Sequence, residues 1–461
     1  MKENSPHSLG RLGITADTIR TYDRRIPRYT SYPTAPVWTE DVRGPEWARH
    51  LEETSPQSGP LSLYVHIPFC RKRCLFCACN VIATRRQGMA DQYLDDVERE
   101  VGLVRGLHRG SEEVMQLHLG GGTPNYLNSE EMKRLLDILK GHFQFSPGAE
   151  QSIEVDPRIA TREEVFRLRQ QDGFNRISYG VQDFNDDTQA AIGREQSREA
   201  SFSNIQAARE AGFESVNIDL IYGLPRQSPA SWHDTIGCVL EAKPDRIALY
   251  NFAYLPGRLP NHRRLEEKEM PSPAARIEMF MEAHDRLTAN GWRFLGMDHY
   301  AREDDSLTRA FERGTMRRNF MGYTTLRGTD VLAFGVSSIG DFQSAFGQNT
   351  KKLNVYRAAL AEGLLPVERG MVLSEEDILR RNCIESLMCQ ARLDLKDERV
   401  AEIARGVRPQ LEELAADGLV RIGGGALEVT LKGQMFLRNI AVVFDAYMQE
   451  MQNKVTFSRA V

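Results

Sequence analysis

The chain has 461 residues, of which 41% are hydrophobic and 27% charged, enough for one large domain or several smaller ones with a substantial core. Its formal net charge of −5 gives no basic footprint for nucleic acid, and no stretch approaches the roughly 20 apolar residues of a membrane span. The polar start MKENSPHSLG predicts no signal peptide, so we expect a cytoplasmic protein.

Residues 1–60 are predicted to form an N-terminal arm. The segment RRIPRYTSYPTAPVW (24–38) contains three prolines and cannot form a continuous helix, so we expect it to be extended. A disordered leader is the alternative. Tyr29, Tyr32 and Trp38 argue against disorder, because disordered tails are usually poor in aromatic residues.

From residue 61 onward, short β-rich runs alternate with amphipathic helical stretches such as 89–107 and 129–143. This alternation predicts a parallel sheet with right-handed crossovers. Six such units precede about residue 290, which predicts an α/β fold, either a full or partial (β/α) barrel or an open doubly wound sheet. The predicted strands are 61–67, 114–120, 151–156, 176–181, 215–223 and 245–252.

The residues that follow these strands are the ones expected to form a site. In both architectures ligands bind beyond the carboxyl ends of the strands. Cys70, Gly121, Asp156 and Gln182 follow the first four runs. We place the catalytic domain at residues 61–345.

After about residue 300 the alternation of strands and helices ends. The segments 317–325 and 334–342 are polar and contain glycine, and we expect them to be loops that line the site. From about residue 370 the pattern is mainly helical, with a capping-box-like Ser374–Asp377 at a helix start. The segment 419–430 predicts a small hairpin. Together these features predict a mainly helical, winged-helix-like C-terminal domain over 346–461.

Four of the seven cysteines lie within CRKRCLFCAC (70–79). Cys70, Cys74 and Cys77 have the spacing C-x3-C-x2-C, and Cys79 follows. Structural zinc commonly uses two separate knuckles, and the chain has no second one; a redox dithiol would leave Cys70 unexplained. Three cysteines in one loop after a strand favour a [4Fe–4S] cluster with one open iron, while zinc or buried structural thiols remain alternatives.

With Phe76 directly before its third cysteine, this motif resembles the signature of the radical S-adenosylmethionine (radical SAM) superfamily. The resemblance implies a cluster whose open iron binds SAM and whose electron cleaves it to methionine and a 5′-deoxyadenosyl radical. The glycine-rich segment LHLGGGTPNYL (117–127) then resembles the superfamily segment that contacts the methionine end of SAM. It contains Gly121, Gly122 and Thr123.

Nine segments resemble a narrower family, the oxygen-independent coproporphyrinogen III oxidases of bacterial haem synthesis. They run from about residue 25 to the end of the chain in consistent order and spacing. The segments are IPRYTSYPTA, YVHIPFCRKRCLFCACN, LGGGTPNYL, IEVDPR, GVQDFN, NIDLIYGLP, GMDHYA, RNFMGYTT and FSRAV.

This resemblance implies a partial (β/α)6-type radical SAM barrel and an oxidoreductase that converts two propionates of coproporphyrinogen III to vinyl groups. In the family, the adenosyl radical takes a β-hydrogen from each propionate, and the carbon radical then loses CO2 and one electron. It also implies two SAM molecules. We expect a flavodoxin- or ferredoxin-like electron donor and a monomer. The alternative is the related haem chaperone, which generally lacks the Cys79 thiol and the arm.

The resemblance further implies roles for individual residues. Cys70, Cys74 and Cys77 become the cluster ligands, and Cys79 a catalytic residue near the substrate, with a merely buried thiol as the alternative. The residues carried over for the SAM at the cluster are Tyr64, Gly121, Glu154 and Ile339. Those carried over for the second SAM are Phe76, Gly122, Thr123, Gln182, Arg194, Asp219 and Ala253.

The substrate implied by the resemblance carries four carboxylates, so cationic groups should surround its pocket. Arg28, Arg317 and Arg318 are the candidates, and solvated surface arginines are the alternative. The tyrosine-rich arm is predicted to cover the macrocycle as a lid.

Overall fold

The computed structural model describes residues 12–86, 88–326, 328–451 and 457–459. The segment MKENSPHSLG and the last two residues of FSRAV lie outside this described part of the chain. One twelve-stranded sheet organises most of the described residues. None of the helices in the described ranges is long and apolar enough to cross a membrane.

The strands of the main sheet are numbered here in chain order. Their order across the sheet is β12-β11-β10-β9-β1-β2-β3-β4-β5-β6-β8-β7. Their bounds are β1 (Leu61–Ile67), β2 (Glu113–Gly121), β3 (Gln144–Val155), β4 (Arg176–Gln182), β5 (Ser215–Tyr222), β6 (Arg246–Asn251), β7 (Trp292–Gly296), β8 (His299–Arg302), β9 (Asp330–Phe334), β10 (Ile339–Phe342), β11 (Ala345–Asn349) and β12 (Val367–Val372).

The seven strands from β9 through β1 to β6 are parallel to their neighbours. The strands outside them pair antiparallel at both edges. All six predicted strands are confirmed as β1 to β6, although β3 starts earlier than expected. The predicted partial barrel is therefore present, and β9 adds a seventh parallel strand beside β1.

Helices connect the successive parallel strands of the sheet, and further helices lie in the arm and in the C-terminal region. The predicted helices 89–107 and 129–143 are confirmed as α3 and α4. The bounds are α1 (Ala16–Tyr22), α2 (Gly44–Thr54), α3 (Met89–Leu107), α4 (Ser129–His142), α5 (Arg162–Gln170), α6 (Asp186–Ala191), α7 (Arg198–Ala211), α8 (Pro229–Ala242), α9 (Pro273–Ala289), α10 (Ser306–Glu312), α11 (Leu353–Ala361), α12 (Glu375–Gln390), α13 (Glu398–Gly406), α14 (Arg408–Ala416), α15 (Leu431–Gln434), α16 (Leu437–Ala441) and α17 (Met448–Met451).

The main core lies between the sheet and these helices. Leu63 and Val65 of β1, Leu119 of β2 and Ile153 of β3 are completely buried in it. Each such aliphatic side chain contributes about 1.5–3 kcal/mol on burial, so the core holds the strand ends in fixed positions.

From residue 12 onward the predicted arm is folded against the rest of the protein, and it is not extended throughout. Helices α1 and α2 lie within residues 1–60, on either side of the proline-rich segment. Tyr29, Tyr32 and Trp38 are all buried, as their aromatic character predicted. The hydroxyl of Tyr29 donates to Asp445 at 2.8 Å, which ties the arm to the C-terminal region.

Two segments expected to be loops contain strands. Arg317–Asn319 and Gly322–Thr324 form a hairpin, and 334–342 includes the end of β9 and the start of β10. Short polar strands give a weak hydrophobic signal, because they pair without burying a continuous apolar face. The main sheet also continues through β11 and β12, across the predicted boundary between residues 345 and 346.

The predictions for the C-terminal region are confirmed in two places. Ser374 caps α12 in a capping box with Asp377, and the predicted hairpin forms from Val420–Gly423 and Ala426–Val429. A third short strand, Arg392–Asp394, pairs with the second of these. Helices and a small three-stranded sheet together give the winged-helix-like arrangement.

Candidate functional site

The cysteine loop leaves the carboxyl end of β1 and is held at several points. Its first residues, Phe69–Cys70, pair in parallel with Ile82–Ala83, which closes the loop at its base. Asn261 donates through Nδ2 to the carbonyls of Leu75 and Cys77 at 2.8 and 2.9 Å. These contacts fix the backbone between the cysteines, so the thiols are positioned before any ligand binds.

Two arginines lie beside the Cys74 thiol. Nη1 of Arg194 is 3.4 Å from Sγ of Cys74, and Nη2 of Arg158 is 3.7 Å away. Both guanidinium groups also pair with Asp156, Arg158 at 2.6 Å and Arg194 at 3.3 Å. The two cations therefore lie where a metal-bound thiolate would carry negative charge.

The other thiols differ in exposure. Cys70 is buried and lies 3.2 Å from Oγ1 of Thr123. A hydrogen bond with Cys79, opposed by burial, lowers the pKa of Cys77 to about 7, and the same bond raises the pKa of Cys79 well above its usual range. Cys79 is exposed to solvent, and its role as a catalytic residue stays a prediction.

The glycine segment after β2 packs tightly against the start of the cysteine loop. Gly121 has φ of +113°, and a Cβ there would lie 2.6 Å from the ring of His66. The amide of Gly122 donates to the carbonyl of Ile67 at 2.8 Å, and that of Gly121 to Glu154 at 3.2 Å. The glycines are therefore required for close contact between β1 and β2 at this edge.

Two carboxylates face the barrel interior near this edge. Glu154 accepts from Gly121 and from Nε2 of His118 at 3.4 Å. Burial opposes ionisation, but His118 and the Gly121 amide keep the pKa of Glu154 below its usual value. Burial and the charge of Glu154 raise the pKa of Asp219 to about 7. No lysine or arginine pairs with either carboxylate among the described residues.

These carboxylates line a barrel cavity of about 110 Å³. Its polar walls include His118 on β2, Ser178 on β4 and Asn217 on β5. Asn217 donates through Nδ2 to Asp219 at 2.8 Å. The cavity therefore offers carboxylate acceptors that no lysine or arginine neutralises to a ligand that brings hydroxyl or ammonium donors.

Gln182 and Arg194 meet beside Gly180 at the end of β4. A register shift between Gly180 and Gln182 marks a bulge, and Gln182 has φ of +72°. The bulge re-aims the Gln182 side chain. Arg194 is 7% exposed and donates through Nε to the Gly180 carbonyl at 3.1 Å. In this structure the carboxylate beside Arg194 is that of Asp156.

Four of the remaining predicted residues lie at the same edge of the sheet. The Tyr64 hydroxyl forms a hydrogen bond with Nδ1 of His66 at 3.1 Å, and the Tyr64 ring stacks on that of His118. Phe76 packs in an apolar cluster with residues that include Phe252. Ala253 follows β6, and Ile339 starts β10 beside a cluster around Trp38 and Phe346.

The three arginines predicted to bind the substrate differ in their ion-pair partners. Arg28 pairs with Asp298, and Nη1 of Arg318 lies 3.6 Å from the same carboxylate. The Asp298 side chain is only 3% exposed, and its carboxylate also accepts a hydrogen bond from His299. Arg317 lies 3.8 Å from Glu385. The arm and the 317–324 hairpin thus meet at one buried carboxylate.

A larger cavity of about 420 Å³ adjoins the barrel interior. Asn319 and Thr324 line both spaces. Arg317, Arg318 and Arg381 border the larger one. Nε and Nη1 of Arg318 are buried without a hydrogen-bond partner in the described part of the chain.

Sequence reasoning missed several residues that shape the site. His66 and His118 lie in segments that were singled out for their neighbours, YVHIP and LHLGGG. Arg158 ends the segment IEVDPR, and Asn261 lies far along the chain from the cysteine loop. The first three could have been found from those motifs, whereas Asn261 gives no sequence signal because its partners are backbone carbonyls.

The residues present fit a [4Fe–4S] cluster better than a single metal ion. In the described ranges no three His, Cys, Asp or Glu side chains gather around one metal position. A cubane cluster binds each thiolate through a different iron atom, so its ligands need not converge on one point. Three thiols of one loop, with two guanidinium groups at Cys74, match that donor set.

Comparisons with known proteins agree with this geometry. The radical SAM superfamily model matches residues 64–239. Oxygen-independent coproporphyrinogen III oxidase of Escherichia coli is 43% identical over 96% of this chain and 97% of its own length. The enzyme of the same name from Synechocystis is 40% identical over 97% and 98%.

A solved structure extends the agreement to three dimensions. The coproporphyrinogen III oxidase of Escherichia coli, described as a radical SAM enzyme, superposes with a TM-score of 0.86 at 42% identity, over 92% of this chain and all of that one. The zinc alternative is excluded by this relationship, and the chaperone alternative is not supported. The chain belongs to the family of oxygen-independent coproporphyrinogen III oxidases, within the radical SAM superfamily.

Proposed function

We propose that the chain converts coproporphyrinogen III to protoporphyrinogen IX by oxidative decarboxylation without oxygen. Each of two propionates loses one hydrogen atom, CO2 and one electron and becomes a neutral vinyl group. A one-electron acceptor outside the protein takes that electron. The observation that carries the proposal is the cysteine loop beside two carboxylates without a cation, in a chain related over nearly its full length to these oxidases.

In this proposal Cys70, Cys74 and Cys77 hold the [4Fe–4S] cluster. When bound, the cluster and SAM together supply a carbon radical that abstracts hydrogen atoms. The guanidinium groups of Arg158 and Arg194 offset the negative charge at Cys74. The residues that hold the SAM at the cluster are Tyr64, Gly121, Glu154 and Ile339.

The proposal includes a second SAM. Asp219 would accept hydrogen bonds from its hydroxyl groups, and Phe76 would provide an apolar contact. The residues that hold it are Phe76, Gly122, Thr123, Gln182, Arg194, Asp219 and Ala253. The bulge at Gln182 and the close packing of Arg194 against Gly180 support a binding role, because both place polar groups at the strand ends.

The tetrapyrrole occupies the barrel interior beside Glu154 and Asp219, near the carboxyl ends of the strands. Arg318, whose guanidinium group lies over the ring of Tyr323 on the barrel wall and 3.6 Å from Asp298, supplies positive charge for a propionate there. Cys79, whose thiol is exposed, acts as the catalytic residue near the substrate. The arm covers the macrocycle, and its Arg28 is held in place by Asp298.

The exposed Arg71 and Lys72 of the cysteine loop suit an acidic electron donor of the flavodoxin or ferredoxin kind. We further propose that the protein works as a monomer in the cytoplasm. The dependence of cluster reduction on ionic strength tests electrostatic docking of the electron donor. Light scattering tests the monomeric state.

Strictly anaerobic turnover tests the proposed reaction. The assay contains the reconstituted chain, a reductant, SAM and coproporphyrinogen III, and mass spectrometry follows the tetrapyrrole. We expect a product that has lost two CO2 and four hydrogens. An unchanged tetrapyrrole together with SAM cleavage would show a radical enzyme with another substrate. Deletion of residues 1–36 without loss of turnover would contradict the lid.

A further inference from the structure

A small cavity lies where the arm, the barrel and the C-terminal helices meet. Its volume is about 60 Å³. Tyr222 and Asn251, the last residues of β5 and β6, line one side, so it lies at the same end of the sheet as the cysteine loop. Side chains of α9 and of residues 434–439 line the rest. None of the predicted SAM residues borders this cavity.

The cavity carries unbalanced positive charge. Arg28, Arg276 and Arg438 line it, and Asp298 is the one carboxylate among its described lining residues. Asp298 already pairs with Arg28 and lies near Arg318. Burial lowers the pKa of Arg276, and burial together with the charge of Arg28 lowers the pKa of Arg438 to about 9. An anion in the cavity would stabilise both charged groups.

The two C-terminal arginines have different partners. Arg438 donates to backbone carbonyls of the arm and the chain end, including Pro27 at 3.0 Å and Arg459 at 2.8 Å. Arg438 therefore connects the N-terminal arm to the last described residues of the chain. Arg276 donates through Nε to the carbonyl of Pro271 at 3.2 Å, and the described residues show no hydrogen bond from its two Nη groups.

Two side-chain amides add unpartnered groups to the same cavity. Nδ2 of Asn439 and Oδ1 of Asn251 are buried without a hydrogen-bond partner in the described part of the chain. Asn439 is only 5% exposed. A buried amide donor left unpaired is destabilising, so a ligand that accepts a hydrogen bond from it is bound more tightly.

We propose that this cavity binds one propionate carboxylate of the substrate, a propionate that is not reacting. The guanidinium fork of Arg276 and the amide of Asn439 are the donors, and Arg28 and Arg438 supply charge. The cavity is larger than the roughly 30 Å³ of a water and smaller than a pyrrole macrocycle, so it suits a carboxylate on a flexible arm. This inference rests on the proposed function. A free inorganic anion such as phosphate shares the same chemistry.

The cavity is separated from the reacting centre. Leu249 and Asn251 face it from β6, whereas Ala248 and Tyr250 of the same strand face the barrel interior with Glu154 and Asp219. Side chains alternate between the two faces of a strand. Arg28, which lines the cavity, also lies 4.9 Å from the ring centre of Tyr250 on the barrel side, so the cavity adjoins the rim of the barrel and a carboxylate held there anchors the macrocycle.

Affinity for coproporphyrin III, the stable oxidised form of the substrate, tests this inference by fluorescence titration of the reconstituted chain. We expect Arg276→Gln to weaken binding about tenfold or more and to raise KM with little change in kcat. The tetramethyl ester, which has no carboxylate, should bind wild type and variant equally. Arg286→Gln, on the same helix but outside the cavity, is the matched control.

Asn439→Asp separates ligand binding from structural support. The new carboxylate has nearly the same volume and pairs with the arginines, so the variant should be as stable as the wild type or more stable. It should nevertheless lose affinity for coproporphyrin III, because it occupies the charge that the propionate needs. Unchanged affinity in both variants, with equal iron content and SAM binding, would overturn the inference.

A phosphate titration distinguishes the two sources of the anion. Phosphate that raises the Tm of the wild type but not of Arg276→Gln, with tetrapyrrole affinity unchanged in that variant, would assign the cavity to a free anion and overturn the propionate assignment. A wild-type chain that binds no coproporphyrin III would contradict the proposed function itself. The variants test the cavity alone, because they are compared with a wild type that binds the tetrapyrrole.

Discussion

Two glutamates on β3 face the barrel interior four residues apart and have different partners. Glu150, at the floor of the barrel, pairs with Arg176 and accepts from Gln116 at 2.8 Å. Arg246 and Asp305 form a second pair at the floor at 2.7 Å. Glu154, near the carboxyl ends of the strands, has His118 and a backbone amide as partners.

The difference separates structural from ligand-binding polar groups inside one barrel. Burial opposes ionisation of Glu150, but Arg176 keeps its pKa below the usual value, so the floor is neutralised internally. At the other end burial raises the pKa of Asp219 to about 7 because no cation compensates it. Uncompensated buried groups cost stability, and they persist where a ligand completes them.

The largest expected effect is at the cysteine loop. Cys74→Ala removes one thiolate and leaves two guanidinium groups facing a methyl group, so we expect loss of cluster iron and a fall in turnover of more than roughly a thousandfold. Iron and acid-labile sulfide per chain, with 5′-deoxyadenosine formation, measure this. Cys238→Ala, a buried thiol of α8, should retain both. Full iron in the Cys74 variant would contradict the ligand assignment.

A substitution at the floor of the barrel should change the free energy of unfolding. Arg176→Met leaves Glu150 buried without its cation, and we expect the free energy of unfolding to fall by about 3–5 kcal/mol. Chemical denaturation of the apo chain measures it. Adding Glu150→Gln should recover much of the loss, because the buried charge is then gone. A single variant as stable as the wild type would show that the floor pair is not structural.

Glu100 tests whether a buried carboxylate without a cation always marks a ligand site. It accepts from Tyr356 at 2.6 Å and from the Gly335 amide at 2.7 Å, and burial raises its pKa to about 7. Its folded-state pKa exceeds the unfolded one, so its contribution to stability is present at low pH and lost as the pH rises through 7.

Relative to Glu100→Gln, the wild type should therefore lose about 2 kcal/mol of unfolding free energy between roughly pH 5 and pH 8. Denaturation curves at several pH values measure this difference. Glu362→Gln, at an exposed position, is the control and should follow the wild type at every pH. A constant difference between the wild type and Glu100→Gln would mean that Glu100 keeps one protonation state.

The smallest loss of stability is expected at the functional edge. Asp219→Asn should not lower the free energy of unfolding and should raise it at neutral pH, because it removes a buried carboxyl that has no cation and whose pKa is raised to about 7. SAM binding should weaken about tenfold, since an acceptor is lost. Equilibrium dialysis measures the second value. A large stability loss with unchanged SAM affinity would place Asp219 among the structural groups of the floor.

The sequence alone determined the parallel strands, two of the helices and the cysteine motif. Several of these strands alternate apolar residues, which face the core, with polar residues, which face the barrel interior, as in Ser215–Tyr222, and this period of two is a local signal. The capping box at Ser374 and the C-terminal hairpin are likewise local. Tyr29, Tyr32 and Trp38 predicted an ordered arm, because large aromatic side chains are usually buried in a folded protein.

Only the tertiary structure decided what meets at Asp298. Arg28 and Arg318 come from the arm and from a hairpin, segments far apart in the sequence, and their pairing on one carboxylate has no local signal. The unpartnered Nη groups of Arg276 and the amide of Asn439 are likewise visible only once the chain is folded. Charge balance in a cavity is a sum over residues from separate elements, so it depends on packing rather than on sequence pattern.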